Sequence, residues 1–277
     1  MLRLKFSVNL FLTGQLIVAF LFAGCLQAQP LKKIKEFQPG KIENVSVDRL
    51  GNFFLIFKNG SIKKYDANGK TLAFLKNTEI TSLIEPWFHP RIFTYYQRGQ
   101  HYITFDRNFK NPDNQNLDPS VAISPSLACP TNDNKLLVLD RADLSVKRIN
   151  PFNNQVISEF SIDSMQFSVK PNFTYIREYQ NLIFLLDANS GVVIYNNVGK
   201  IVNQIKSKAN NFGFYGEELY FLQQSKVVFF DLYTEKTREI EIGEGKFVLV
   251  TDERILEVTE KDRVIIFEFK EIASTDK

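Results

Sequence analysis

The sequence predicts an all-β chain folded as one six-bladed β-propeller, and three observations carry that prediction. From Leu31 onward, apolar runs of about five to eight residues alternate with Gly, Asn, Asp and Pro, and no long stretch has a helical period. A short unit recurs along the chain: a strand, a large apolar residue, then an acid or Asn that opens a turn. The last unit is one strand short, and the segment that begins the body of the chain has a strand to spare.

The recurring unit is clearest at Ser61–Asp66, SIKKYD, closed by Asn68-Gly69-Lys70. Its counterparts are His101–Asp106 (HYITFD), Ser145–Asn150 (SVKRIN), Val192–Asn196 (VVIYN), Lys226–Asp231 (KVVFFD) and Arg263–Glu268 (RVIIFE). Asp or Asn ends a strand well, because its side chain accepts from backbone N–H groups two residues on. The closing residues fall at 66, 106, 150, 196, 231 and 268, a spacing of roughly 35–46 residues, in the range of four-stranded propeller blades.

Each unit has a partner strand before it. Asn52–Lys58 leads in through Asn59-Gly60, a strong hairpin signal, and Arg91–Tyr96, Lys135–Asp140, Leu182–Asp187, Glu218–Leu222 and Arg254–Thr259 take the same place. Inner strands are expected near Glu43–Asp48, Ile80–Glu85, Ser126–Cys129, Phe173–Glu178, Asn211–Tyr215 and Lys246–Thr251. Outer strands are expected at Thr71–Leu75, Gln155–Ile162, Lys200–Lys206 and Thr237–Ile242. Blade two is expected to lack one, its place taken by the Asn-, Asp- and Pro-rich stretch Phe109–Asp118. Blade six ends after its third strand, so Lys33–Phe37 (KIKEF) is expected to complete it and close the ring. The propeller is read as residues 31–272, with a frayed tail at 273–277.

The blades, notably VSVDRLGNFFLIFKNGSIKKYDANGK, resemble NHL-type and related six-bladed propeller repeats, and the chain looks like short propeller proteins exported by Bacteroidetes. The resemblance implies the ring fold. It transfers no active residue, because these repeats serve varied functions.

Residues 1–28 read as an export signal: Arg3 and Lys5, an apolar run from Phe6 to Gly24, then Leu26-Gln27-Ala28 before Gln29. Phe22-Ala23-Gly24-Cys25 also resembles a bacterial lipobox, with Phe22 where that motif prefers Leu. Two outcomes follow: lipidation at Cys25, which anchors the chain, or cleavage after Ala28, which leaves it unanchored. Either places it in the periplasm, outer membrane or cell surface of a Gram-negative bacterium. The formal net charge is +3, and loss of Arg3 and Lys5 leaves about +1. So neutral a body lacks the basic footprint of a nucleic-acid binder and offers little to an anionic membrane; a membrane link is expected only through Cys25. Cys129, the only other cysteine, then has no disulfide partner and reads as a small buried hydrophobe.

No nucleophile elbow, zinc-binding HExxH or phosphate-cradling glycine loop is present, so no catalytic residue, cofactor or metal is assigned. Asp48, Asp133 and Asp252 read as turn residues. The binding candidates are where the repeat breaks. Trp87, Phe88 and His89 lie between prolines and offer an aromatic patch or a loop folded back on blade two. Asp113 and Asn114 lie in the 109–119 insertion, expected on the ring face of the interblade loops with Arg98 and Arg141. The expected function is an exported, non-enzymatic binding or scaffold module for an envelope protein or glycan. The alternative is a lyase or hydrolase acting on a small molecule or sugar at the central cavity.

Overall fold

The computed structural model describes residues 31–270 apart from Thr78, Phe88 and His89. The signal segment 1–28 with Cys25, the tail 273–277, and two of the binding candidates, Phe88 and His89, therefore lie outside the described residues.

The described chain is six antiparallel sheets of four strands each. After β1 (Lys33–Phe37), blade one is β2 (Ile42–Val47), β3 (Phe53–Phe57), β4 (Ile62–Tyr65) and β5 (Thr71–Leu75). Blade two is β6 (Leu83–Glu85), β7 (Ile92–Tyr96), β8 (His101–Phe105) and β9 (Asp113–Asn116). Blade three is β10 (Pro125–Pro130), β11 (Leu136–Asp140), β12 (Ser145–Asn150) and β13 (Gln155–Ser161). Blade four is β14 (Phe173–Tyr179), β15 (Leu182–Asp187), β16 (Gly191–Tyr195) and β17 (Ile201–Ile205). Blade five is β18 (Phe212–Tyr215), β19 (Glu218–Gln223), β20 (Lys226–Asp231) and β21 (Thr237–Glu241). Blade six is β22 (Gly245–Val250), β23 (Arg254–Thr259) and β24 (Val264–Glu268), completed by β1 in the order β1-β24-β23-β22. This is a six-bladed propeller, closed by its first strand as the sequence predicts.

The strand ends use the expected chemistry. The Asp66 carboxylate accepts from the Asn68 and Lys70 amides at 3.0 and 2.8 Å, and Asp106 accepts from Asn108 and Lys110 at 2.9 and 2.8 Å. Asn150, Asn196 and Asp231 accept the same way from Phe152, Val198 and Tyr233. Glu268 departs from the pattern; it sits on the closing seam and pairs with Lys32 and Lys270. Gly60, at φ +82°, turns so tightly under the next crossover that a Cβ there would lie 2.0 Å from the Glu79 carbonyl oxygen.

Blade two corrects one expectation. It does have an outer strand, β9, paired with β8 from His101↔Asn116 to Thr104↔Asp113. Its sequence, DNQN, is exposed at every position, so burial demands no apolar alternation and leaves no pattern to read. The 109–119 stretch is thus not a loop insertion. Phe109 is a wedge, buried edge-on against Phe54 and Phe105 between blades one and two.

The core is a ring of layers between neighbouring blades. Phe54, Ile56 and Ile62 of blade one pack on Ile92 and Phe105 of blade two. Phe184 and Ile194 of blade four meet Phe212 and Phe214 of blade five, and Val45 and Leu55 of blade one meet Leu256 and Ile266 of blade six. The strands nearer the axis are buried on both faces, which is why β3, β7, β11 and β16 are buried throughout.

Candidate functional site

The six inner strands surround the ring axis, and their side chains fill it. Glu85 at the end of β6 meets Arg177 of β14, Oε2 to Nε at 3.2 Å, joining blades two and four across the ring. Both side chains are buried, at 0 and 3% exposure. The Trp87 amide donates to Glu85 Oε1 at 2.9 Å, and the Tyr175 hydroxyl lies 3.4 Å from Oε2. The Arg177 guanidinium carbon is 5.1 Å from the centre of the Trp87 ring and 5.4 Å from that of Phe214. Burial works to lower the Arg177 pKa, but Glu85 together with Tyr175, Tyr220 and Cys129 more than offsets it, and the net shift is upward. Burial first, then Glu85, pushes the Tyr175 hydroxyl well up, so Tyr175 is not a base at neutral pH. A second pair, Arg148 with Glu178, ties blade three to blade four, and Glu178 also accepts from the Asn132 amide.

One mouth of the axis opens among the turns that join first and second strands. There the Arg49 guanidinium carbon lies 5.6 Å from the centre of the Trp87 ring, and a hollow of about 290 Å³ is bounded by Asp48, Phe214, Thr251 and Glu253. Trp87 is half-buried and packs on the blade-one and blade-six core.

The opposite ring face carries the interblade crossovers and the tips joining second and third strands. Its main relief is the crossover from blade three to blade four, with a 3-10 turn at Ser164–Gln166. Two clefts flank this ridge, one of about 820 Å³ reaching Arg141 and Asp143, the other of about 810 Å³ reaching Asp187, Asn189 and Lys206. Phe167, Ser168 and Val169 line both, so the two clefts adjoin along the ridge as a groove in two parts.

Strand-end acids hold the ridge and its walls. Asp140 accepts from the Ile123, Ser124 and Ala142 amides and from Lys147 Nζ, all between 2.8 and 3.0 Å. Asp187 accepts from the Asn172 amide at 2.6 Å and from the Ser190 hydroxyl at 2.5 Å. Asn189 donates to the Lys170 carbonyl, and Asp163 caps the 3-10 turn. Gly191, at φ +101°, presses the blade-four tip against the next crossover; a Cβ would lie 2.2 Å from the Ile205 carbonyl oxygen.

These placements separate the candidates read from the sequence. Trp87 is at the axial mouth on one face. Arg98 and Arg141 are exposed on tips of the other face, and Arg141 borders the groove. Asp113 and Asn114 are in β9 at the outer rim, not among the interblade loops where they were expected. The axial pair Glu85–Arg177 was missed; its signal is a charge at the end of LIE and another inside YIRE, in strands otherwise buried and largely apolar. Cys129 is fully buried, and burial raises its thiol well above the ordinary value, as a structural residue requires. Among the described residues no group of three or more His, Cys, Asp or Glu is arranged to hold a metal, and no helix is long and apolar enough to cross a membrane.

No family model matches the chain, and no curated protein matches it. Solved structures do. Virginiamycin B lyase from Staphylococcus aureus aligns with a TM-score of 0.51 and 14% identity over 82% of this chain and 80% of that one. The Pan2 WD40 domain of Neurospora crassa gives 0.58 and 8% identity over 91% and 98%. The extracellular domain of a proposed one-component system from B. thetaiotaomicron gives 0.53 and 16% identity over 82% of this chain and 33% of that one. At such identities the likeness is one of fold, and the propeller neighbours include a lyase, a WD40 domain and an extracellular domain.

Proposed function

We propose that this protein is an exported binding or scaffold module of the cell envelope, engaging a protein or glycan through one ring face. The observation that carries this reading is the filled axis. Glu85, Tyr175 and Arg177 at the ring centre engage one another across blades two and four, while recessed surface carrying polar and charged side chains lies out on a ring face. The N-terminal segment serves as the export signal, ending either before a lipidated Cys25, in keeping with the lipobox-like FAGC, or after Ala28. The likeness to an extracellular domain fits this location, and the repeats fit an NHL-like origin.

The rival reading, a lyase or hydrolase at the central cavity, draws on Glu85, Tyr175 and Arg177 at the axis. Against it stand their burial and mutual engagement. The test is retention on immobilised full-length protein. A component of an envelope extract should be held, and the matched cytosolic extract should yield none; turnover of a small-molecule or sugar panel would overturn the reading. Incorporation of labelled palmitate into wild type but not Cys25→Ala tests the anchor.

A further inference from the structure

Cations outnumber acids along the groove at the ridge. Four cations border it: Arg141 and Lys170 on the blade-three side, Lys206 and Lys208 on the blade-five side. All four are exposed, and among the described residues none of their cationic groups meets a carboxylate. The two acids that line the groove are committed elsewhere. Asp143 accepts from the Ser145 amide and hydroxyl and pairs with Lys147 at 3.0 Å. Asp187 spends both oxygens holding the ridge and the blade-four tip. Four cations to two carboxylates leave the groove with a net positive charge over a floor that is structurally tied.

The rest of the lining mixes apolar surface with many groups that both donate and accept. Gln166, Asn189, Gln204, Gln223 and Gln224 contribute carboxamides, and Ser168 and Ser190 contribute hydroxyls. A carboxamide matches a vicinal diol, accepting from one hydroxyl while donating to its neighbour. Phe167 supplies a ring at the ridge crest, held edge-on against Phe173 at 5.7 Å. Each cleft has the volume of a small-molecule site, and the two together suit an extended chain better than a compact ligand. Lysines and an arginine at both ends of a hydroxyl-matching trough call for a carbohydrate with regularly spaced carboxylates.

We infer that the groove across residues 164–172 binds an acidic polysaccharide of the uronate type, with sugar hydroxyls on the carboxamides and carboxylates on Arg141, Lys170, Lys206 and Lys208. This rests on the binding-module reading above and names its ligand.

The test titrates full-length protein with polygalacturonate oligosaccharides, with uncharged dextran oligosaccharides and poly-glutamate as comparators. Polygalacturonate should bind, with affinity falling as salt rises, and both comparators should bind at least about tenfold more weakly. Lys206→Gln with Lys208→Gln, and separately Arg141→Gln with Lys170→Gln, should each weaken binding about tenfold. These side chains are exposed, so the fold is untouched, which unchanged thermal midpoints verify. Equal binding of dextran overturns the acidic ligand, and equal binding of poly-glutamate overturns the carbohydrate. Undiminished binding by both double variants overturns the groove. If polygalacturonate fails while an envelope component is still retained, the inference falls and the binding-module reading stands; if neither binds, both fall.

Discussion

Neutralising Glu85 tests whether the ring centre is held by charge. In Glu85→Gln the side chain keeps its shape and its acceptor for the Trp87 amide, but Arg177 is left as a buried guanidinium facing a neutral group. Removing one partner of a buried pair costs about 3–5 kcal/mol, because the remaining charge has lost the interaction that compensated its desolvation. In a body of this size each kcal/mol moves the thermal midpoint about 2–4 °C, so the midpoint should fall by roughly 6–20 °C. Replacing both partners, Glu85→Leu with Arg177→Met, removes the charge and the desolvation cost together. That variant should return to within about 1 kcal/mol of wild type. Urea unfolding followed by tryptophan fluorescence suits the assay, because Trp87 is the chain's one tryptophan and lies against Arg177. A Glu85→Gln cost below about 1 kcal/mol, or a double variant as poor as the single, would refute the idea that Arg177 depends on Glu85.

Three further outcomes follow from the same structure. Glu257 is buried with one oxygen lacking a partner among the described residues, and burial raises its pKa. Its folded value lies above its unfolded value, so the wild type loses stability as pH rises from the ordinary glutamate range through the folded pKa; Glu257→Gln should remove that loss and gain about 1–2 kcal/mol at neutral pH by chemical denaturation. Gly60→Ala places a methyl against the Glu79 carbonyl and should cost at least about 2 kcal/mol, read as a lowered urea midpoint; a change under 0.5 kcal/mol, roughly, would contradict the turn geometry. Cys129 should resist an aromatic disulfide reagent in native buffer and react at once in denaturant; rapid native labelling would contradict its burial.

What could be read in advance was what repeats locally. Asp66, Asp106, Asn150, Asn196 and Asp231 each sit within four residues of the amides they bind, so strand, residue and turn appear together in the sequence. KIKEF was legible because a ring with a missing strand needs one. β9 was not, since an edge strand exposed on both sides is specified by pairing with β8 rather than by its own side chains. The axial pair was hidden for a different reason: Glu85 and Tyr175 meet across 90 residues, and no local pattern encodes which inner strands face one another. The groove is legible only in space. Arg141, Lys170 and Lys206 belong to a tip and two crossovers, and their shared sign emerges once the acids beside them are seen to be engaged.

The closing seam also sets an order of events. Glu36 of β1 takes a hydrogen bond from Arg263 across 227 residues of chain, and Lys33–Phe37 aligns with β24 only when blade six exists. Until the last strands arrive, the earliest one has no partner, and blades one and six each show an open side. Closing so long a loop adds little to the equilibrium cost, since that cost grows only with the logarithm of length, but it delays the step that joins the two ends. For a chain made from its N-terminus, the first strand to emerge is the last to be secured. Its lysines and glutamate, Lys33, Lys35 and Glu36, keep that waiting edge from pairing with a neighbour's.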